Sequence, residues 1–314
     1  MQPPLFSVLI NNYNYGRFVT RAIVSVLNQS DDRIEIIVVD DGSSDNSREI
    51  LSGFRGCAKI IFQANGGQAS AMNAGVAASS GEFLCFLDAD DWWGPDKLSA
   101  VLAAFRTDPR ISLVYHRLQP VIDDKPALKP IPRSLCSGDL SPQLARSAGW
   151  WPFPMTSAVA VRRSAWDEVG AIPAQFRISA DAWLTGIYPF VGSVVALAET
   201  HGSYRIHNNN WFRTTDDDAM LRKRMAHWAA TVDATNRFLA DRASELRLNM
   251  ADHYPYQVAA AKLLDPDAHS RFRLLIEGLR FGGEPNLPRR VRDSLRTWLD
   301  LGRTRRHIDL SEAT

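Results

Sequence analysis

The chain has 314 residues, enough for one large domain or two modest ones and for a sizeable buried core. Its 36 basic and 35 acidic residues leave a formal net charge of +1, which excludes a global field that would recruit nucleic acid. Cys57, Cys85 and Cys136 are widely spaced with no CxxC pair, against both a zinc site and a disulfide-stapled secreted domain; no apolar run reaches membrane-spanning length and no basic leader opens the chain, so a cytoplasmic protein, free or peripheral at a membrane, is expected.

Short apolar runs alternate with helical patterns from the start. Residues 6–10, 34–39, 59–62 and 83–87 read as buried strands, because near-continuous β-branched and aromatic runs suit a sheet covered on both faces. Residues 17–28 carry Phe18, Val19, Ala22, Ile23, Val26 and Leu27 at helical spacing; 44–51 and 96–105 follow as helices, the latter opened by Pro95. Strands alternating with helices predict a parallel, doubly wound α/β sheet. A Pro-rich stretch, 119–132, reads as a surface excursion. Strands are expected again at 157–162 and 193–198, with a short helix at 164–169. Beyond 216 the pattern is helical throughout: 220–239, 244–264, 270–281 and 291–301.

In open α/β sheets, ligands bind at the carboxyl ends of the strands. Those ends deliver Asn11, Asn12 and Tyr13, then Asp40 and Asp41, then Asn65 to Gln68, then Asp88, Asp90 and Asp91. Each segment alone could be a polar turn or a helix cap. Together they gather carboxylates that repel one another, and a hard cation, Mn²⁺ or Mg²⁺, is the usual remedy. Such ions keep positions open for phosphate oxygens, so a diphosphate ligand is expected. The first turn, Asn14-Tyr15-Gly16, is not GxGxxG, which gives an NAD-type site little support.

The segments FSVLINNYNYGRFVTRAIVSVLNQS, IEIIVVDDGSSDNS and NGGQASAMNAGVAASSGEFLCFLDADDWWGPDKL resemble, in order and spacing, the family 2 inverting glycosyltransferases of GT-A fold. The resemblance implies an α/β Rossmann-like sheet of GT-A type with a helical C-terminal region. It divides the chain into a catalytic domain over 1–214, with a nucleotide-binding half at 1–106 and an acceptor half at 107–214, and a helical region at 215–314. It implies nucleotide contacts from Asn11, Tyr13, Asp40, Asp41, Gln68 and Asp88, and a metal held by Asp90, Asp91 and His207, the last from the Arg205-x-His207 signature. The second of the family's paired acids, the general base that deprotonates the acceptor hydroxyl, falls on Asp181. The first is Ala180 here, a departure that bears on acceptor contacts. Arg205, Trp151 and Trp183 are expected at the diphosphate or the acceptor. The implied reaction moves a sugar from a UDP- or dTDP-type donor to a saccharide or lipid-linked hydroxyl. The rivals are a nucleotidyltransferase on the same fold, for which only Arg17 and Arg21 offer a basic clamp, and a non-catalytic sugar-nucleotide-binding module.

One C-terminal feature stands apart. Residues 271–306 hold ten Arg and four acids, a local net of +6. Leu274, Leu275, Leu279, Phe281, Val291, Leu295, Trp298, Leu299 and Leu301 lie among them. Two roles suit this pairing: peripheral contact with an anionic membrane, or packing on the protein itself, including a homo-oligomer.

Overall fold

The computed structural model describes residues 4–31, 33–207, 217–264 and 268–309. The chain forms two compact units, one of Met1–Leu140 with Phe153–Asn209, the other of Ser141–Pro152 with Asn210–Thr314.

The first unit opens with β1 (Phe6–Asn12), α1 (Gly16–Leu27), β2 (Ile34–Asp40), α2 (Ser47–Ser52), β3 (Lys59–Phe62), α3 (Gln68–Ala77) and β4 (Phe83–Asp88). There follow β5 (Trp92–Trp93), α4 (Lys97–Phe105), β6 (Ile111–Ile122) and β7 (Lys125–Pro126). In the second unit α5 spans Ser141–Ala145, after which β8 (Val159–Arg162), α6 (Arg163–Val169), α7 (Asp181–Ile187) and β9 (Ser193–Arg205) complete the first. The sheet runs β3-β2-β1-β4-β8-β6-β9-β5, with β7 paired to β6. From β3 to β4 all pairs are parallel, as expected. Beyond β4 the expectation of a purely parallel sheet is corrected. β8 runs antiparallel to both β4 and β6, while β9 runs parallel to β6.

Both faces are covered. Val19, Ile23 and Val26 of α1 and Leu98, Val101 and Phe105 of α4 pack on Phe6, Val8, Ile10, Val38 and Leu87. α3 lies against β1 and β2 on the other face, with Ala69, Met72 and Val76 buried. The stretch expected as a surface excursion begins as strand, since β6 reaches Ile122 and turns back into β7 through Asp123 and Asp124, both at positive φ; residues 127–130 are irregular, and residues 122–129 are exposed.

The second unit is helical: α8 (Asp218–Asp241), α9 (Tyr254–Leu264), α10 (Ala268–Arg280) and α11 (Leu287–Asp309). The single helix expected over 244–264 starts only at Tyr254, after a turn in which the Asn249 side chain accepts from the Ala251 amide at 3.0 Å. Among the described residues no helix is long and apolar enough to cross a membrane.

Candidate active site

Sheet register sets the first contacts. Asn11 on β1 lies beside Asp88 on β4, and Asn12 beside Asp40 on β2. Asn11 Nδ2 donates to Asp88 Oδ1 at 2.9 Å and Asn12 Nδ2 to Asp40 Oδ2 at 2.7 Å, while the buried Oδ1 atoms of both asparagines have no partner. Asp40 is further held by the Ser43 amide at 3.1 Å. Asp41 is buried and binds the next loop: Oδ1 accepts from the Gly66 amide at 2.9 Å and Gln63 Nε2 at 2.7 Å, and Oδ2 from the Gly67 amide at 2.7 Å. Tyr13 stands at the rim, 49% exposed.

The loops after β1 and β2 are sewn together. Asn14 Oδ1 accepts from the Ser44 amide at 2.7 Å, and Asp45 Oδ2 from the Gly16 amide at 3.0 Å. A Cβ at Gly16 would lie 2.5 Å from Asn46 Oδ1, so glycine permits this approach.

The segment after β4 concentrates charge. Asp90 Oδ2 is 2.9 Å from His207 Nε2, whose ring is 5.7 Å from Phe18 and 5.5 Å from Tyr15. Asp91 faces inward: Ser157 Oγ donates to its Oδ2 at 2.6 Å and the Arg205 amide to its Oδ1 at 2.8 Å. Burial, with the charges of Asp90 and then Asp181 added, pushes Asp88 up to about 7; burial and the charges of Asp90 and Asp88 lift Asp91 well above the carboxylate range. Among the described residues no three His, Cys, Asp or Glu side chains close into a ready metal cage.

Asp181 opens α7, and burial raises it to about 6. It does bond the next amide, Ala182 N, at 3.0 Å, but it caps no later amide of the helix. Its position is fixed through Gln68. Gln68 Nε2 donates to Asp88 Oδ1 at 3.2 Å while its Oε1 accepts from the Ala180 amide at 2.9 Å, so one side chain ties β4 to the residue before Asp181. The Gln68 amide adds a bond to the Arg177 carbonyl at 2.8 Å. Gly67, at φ +88°, allows this approach, since a Cβ there would lie 2.7 Å from Arg177 O. Ala180, where the resemblance implies an acid, is fully buried.

Other expected contacts lie elsewhere. Arg205 spends its guanidinium on protein, with Nη1 on Asp124 Oδ1 at 2.8 Å and Nε on the Asp90 carbonyl at 3.0 Å, between the rings of Phe18 and Trp92. Arg21 also pairs with Asp124, at 2.7 Å, while the exposed Arg17 lies with its guanidinium 4.3 Å from the centre of the Phe18 ring. Trp183 packs in the core on Phe176, and Trp151, in the second unit, is fully buried; both are core residues where acceptor stacking was expected. Sequence reasoning missed Tyr15, whose hydroxyl is raised by burial and by Asp90, Asp88 and Asp91, and Ser157, whose Oγ also accepts from the Asp88 amide at 3.1 Å. Tyr15 is half-hidden in the Asn-x-Asn-Tyr-Gly run; nothing near Ser157 signals its role.

Comparison with known proteins bears on family and fold. Residues 7–170 match Glycosyl transferase family 2. An uncharacterized glycosyltransferase of Nostoc sp. is 38% identical over 245 residues, 75% of this chain and 74% of that protein. The chondroitin synthase of Pasteurella multocida is 36% identical over 115 residues, 36% of this chain but 12% of its own length. Residues 1–349 of S. aureus TarS superpose at TM-score 0.56 with 14% identity, covering 96% of this chain and 91% of that one. The mannosyltransferase PcManGT of Pyrobaculum calidifontis, solved with GDP-Man and Mn²⁺, superposes at TM-score 0.58 with 16% identity, covering 98% and 88%. The fold is GT-A, and the chain belongs to glycosyl transferase family 2.

Proposed function

We propose that the chain is an inverting, divalent-cation-dependent glycosyltransferase that moves a sugar from a nucleotide diphosphate sugar, of UDP or dTDP type, to a hydroxyl of a saccharide or lipid-linked acceptor. The observation that carries it is the meeting of the β4 carboxylates with Asp181: a proton acceptor raised to about 6 stands close enough to Asp88 to raise that group in turn. A nucleotide-sugar donor is supported by two structural neighbours, TarS, solved with UDP-GlcNAc, and PcManGT, solved with GDP-Man and Mn²⁺. We place the chemistry within residues 1–214, with the helices of 215–314 outside it.

The donor set fits a hard cation. Buried carboxyls that raise one another, beside an unpartnered Asn11 oxygen, make an environment that a positive charge would relieve. Asp90 and His207 would hold it, with Asp88 at the ribose. We read Asp91, first expected as a second ligand, as the residue that fastens the loop to Ser157 and Arg205. When bound, such an ion offsets the charge that develops on a departing diphosphate. Asn11, Tyr13, Asp40 and Asp41 would shape the nucleoside pocket. Of these, Tyr13 offers an exposed ring and Asp41 holds the 66–67 loop in place. The Asp181 carboxylate takes the proton of the acceptor hydroxyl while that oxygen attacks the anomeric carbon from the face opposite the diphosphate, so the bond to the diphosphate breaks and the configuration inverts.

Thermal shift with UDP, dTDP and GDP sugars, with and without Mn²⁺, followed by NMR of the product anomer, tests the reading. A metal-dependent shift with a uridine or thymidine donor and an inverted product is expected. A retained configuration, or donor binding indifferent to Mn²⁺ and to Asp90→Ala, would overturn it.

A further inference from the structure

The nine apolar residues set among the C-terminal arginines divide in the fold. Leu274 and Leu301 are buried with Ala261 beside Tyr254, and Phe281 is buried against Tyr254 and Trp150. Val291, Leu295, Trp298 and Leu299 are not; together with Leu287 they remain 36–60% exposed along α11. At about 100° per residue, positions 287, 291, 295, 298 and 299 fall within one third of the helix circumference, and the buried Ser294 and Leu301 adjoin that arc on the side of Leu287 and Trp298. Arg292 and Arg296 come next around the helix beyond Leu299, both exposed and each paired with an exposed acid of its own helix, Asp293 and Asp300. The result is an apolar stripe with a tryptophan, bordered on its open side by arginines and on the other by the buried line, inside a segment whose sequence carries a net +6.

We propose that this face of α11 docks on an anionic phospholipid surface, with the leucines and Trp298 at the acyl boundary and the arginines among the headgroups. Charge decides between this surface and a second copy of the chain. A two-fold contact through the same stripe would line its margins with the arginines of both copies, whereas an anionic headgroup layer complements them. The inference does not depend on the proposed chemistry.

Flotation of the full chain with phosphatidylglycerol vesicles, and with phosphatidylcholine vesicles, at low and high salt tests it. The wild type is expected to float with phosphatidylglycerol at low salt and about tenfold less with phosphatidylcholine or at high salt. Leu295→Glu with Leu299→Glu should lose about tenfold or more, with helical content unchanged because both sites are exposed. Arg292→Gln with Arg296→Gln should weaken binding and flatten the salt dependence. Quenching of tryptophan emission by brominated phosphatidylglycerol should fall in Trp298→Phe. The proposal is overturned if the wild type fails to float with phosphatidylglycerol, if the double glutamate variant floats as well as the wild type, or if sedimentation shows a dimer that the same variant dissociates.

Discussion

Asp181 is where a single proton has the most visible effect. As a base with its carboxyl raised to about 6, it should make turnover fall about tenfold per pH unit below that value and level off above it. Asp181→Asn keeps the shape without the lone pair for the proton, so kcat should drop on the order of 10²- to 10⁴-fold with donor affinity nearly unchanged. The same shift predicts a gain in stability. A carboxyl held more tightly protonated in the fold than in the unfolded chain favours folding at low pH, and that contribution is lost as pH rises from about 4 through 6. Urea denaturation should therefore find Asp181→Asn more stable than wild type at neutral pH, by about 1–2 kcal/mol after allowance for partial exposure, and no more stable at pH 3. Gln68 acts one step away. Gln68→Ala frees Ala180 from Asp88 and should lower kcat about tenfold while calorimetry finds donor affinity changed far less. A loss confined to affinity would return Gln68 to the nucleotide-contact role expected from the resemblance.

Among the elements, the turn from β3 into α3 carries the tightest constraint. Gly67→Ala would combine a left-handed backbone with a Cβ driven into the Arg177 carbonyl, and should cost about 1–3 kcal/mol in urea denaturation as well as activity. Placing the acid that the resemblance implies with Ala180→Glu would introduce a charge at a fully buried position, so a lower melting temperature and no gain in turnover are expected. These elements also mark what the sequence made legible. α1 declares itself because its apolar residues keep a 3.6-residue period, and β1, β2 and β4 because their runs are apolar on both faces. α3 does not, since Gln68–Ala77 is small and bland on every side and is helical only because small residues let it lie close on the sheet. β6 is masked by His116, Arg117, Gln119 and Pro120, which tertiary pairing with β9 overrides. The motif residues at the strand ends could be read, but their partners could not: the bonds from Gln68 to Ala180 and from Ser157 to Asp91 cross 112 and 66 residues of chain.

On the scale of the whole molecule, the sheet order has a consequence for behaviour in concentrated solution. A sheet invites strand addition where its outermost strands leave long rows of amides and carbonyls unpaired. Here one flank is β3, four residues long, with an exposed Lys59, and the other ends in the two residues of β5. Beside β5, the start of β9 is bridged by Gly138 at Val194 and by Ser137 Oγ at the Ala196 amide. Both margins are short or interrupted, so concentrated protein at neutral pH should give a flat thioflavin T signal over days. A fibril grown from the native state would mean that one of these short margins had first come away from its neighbour.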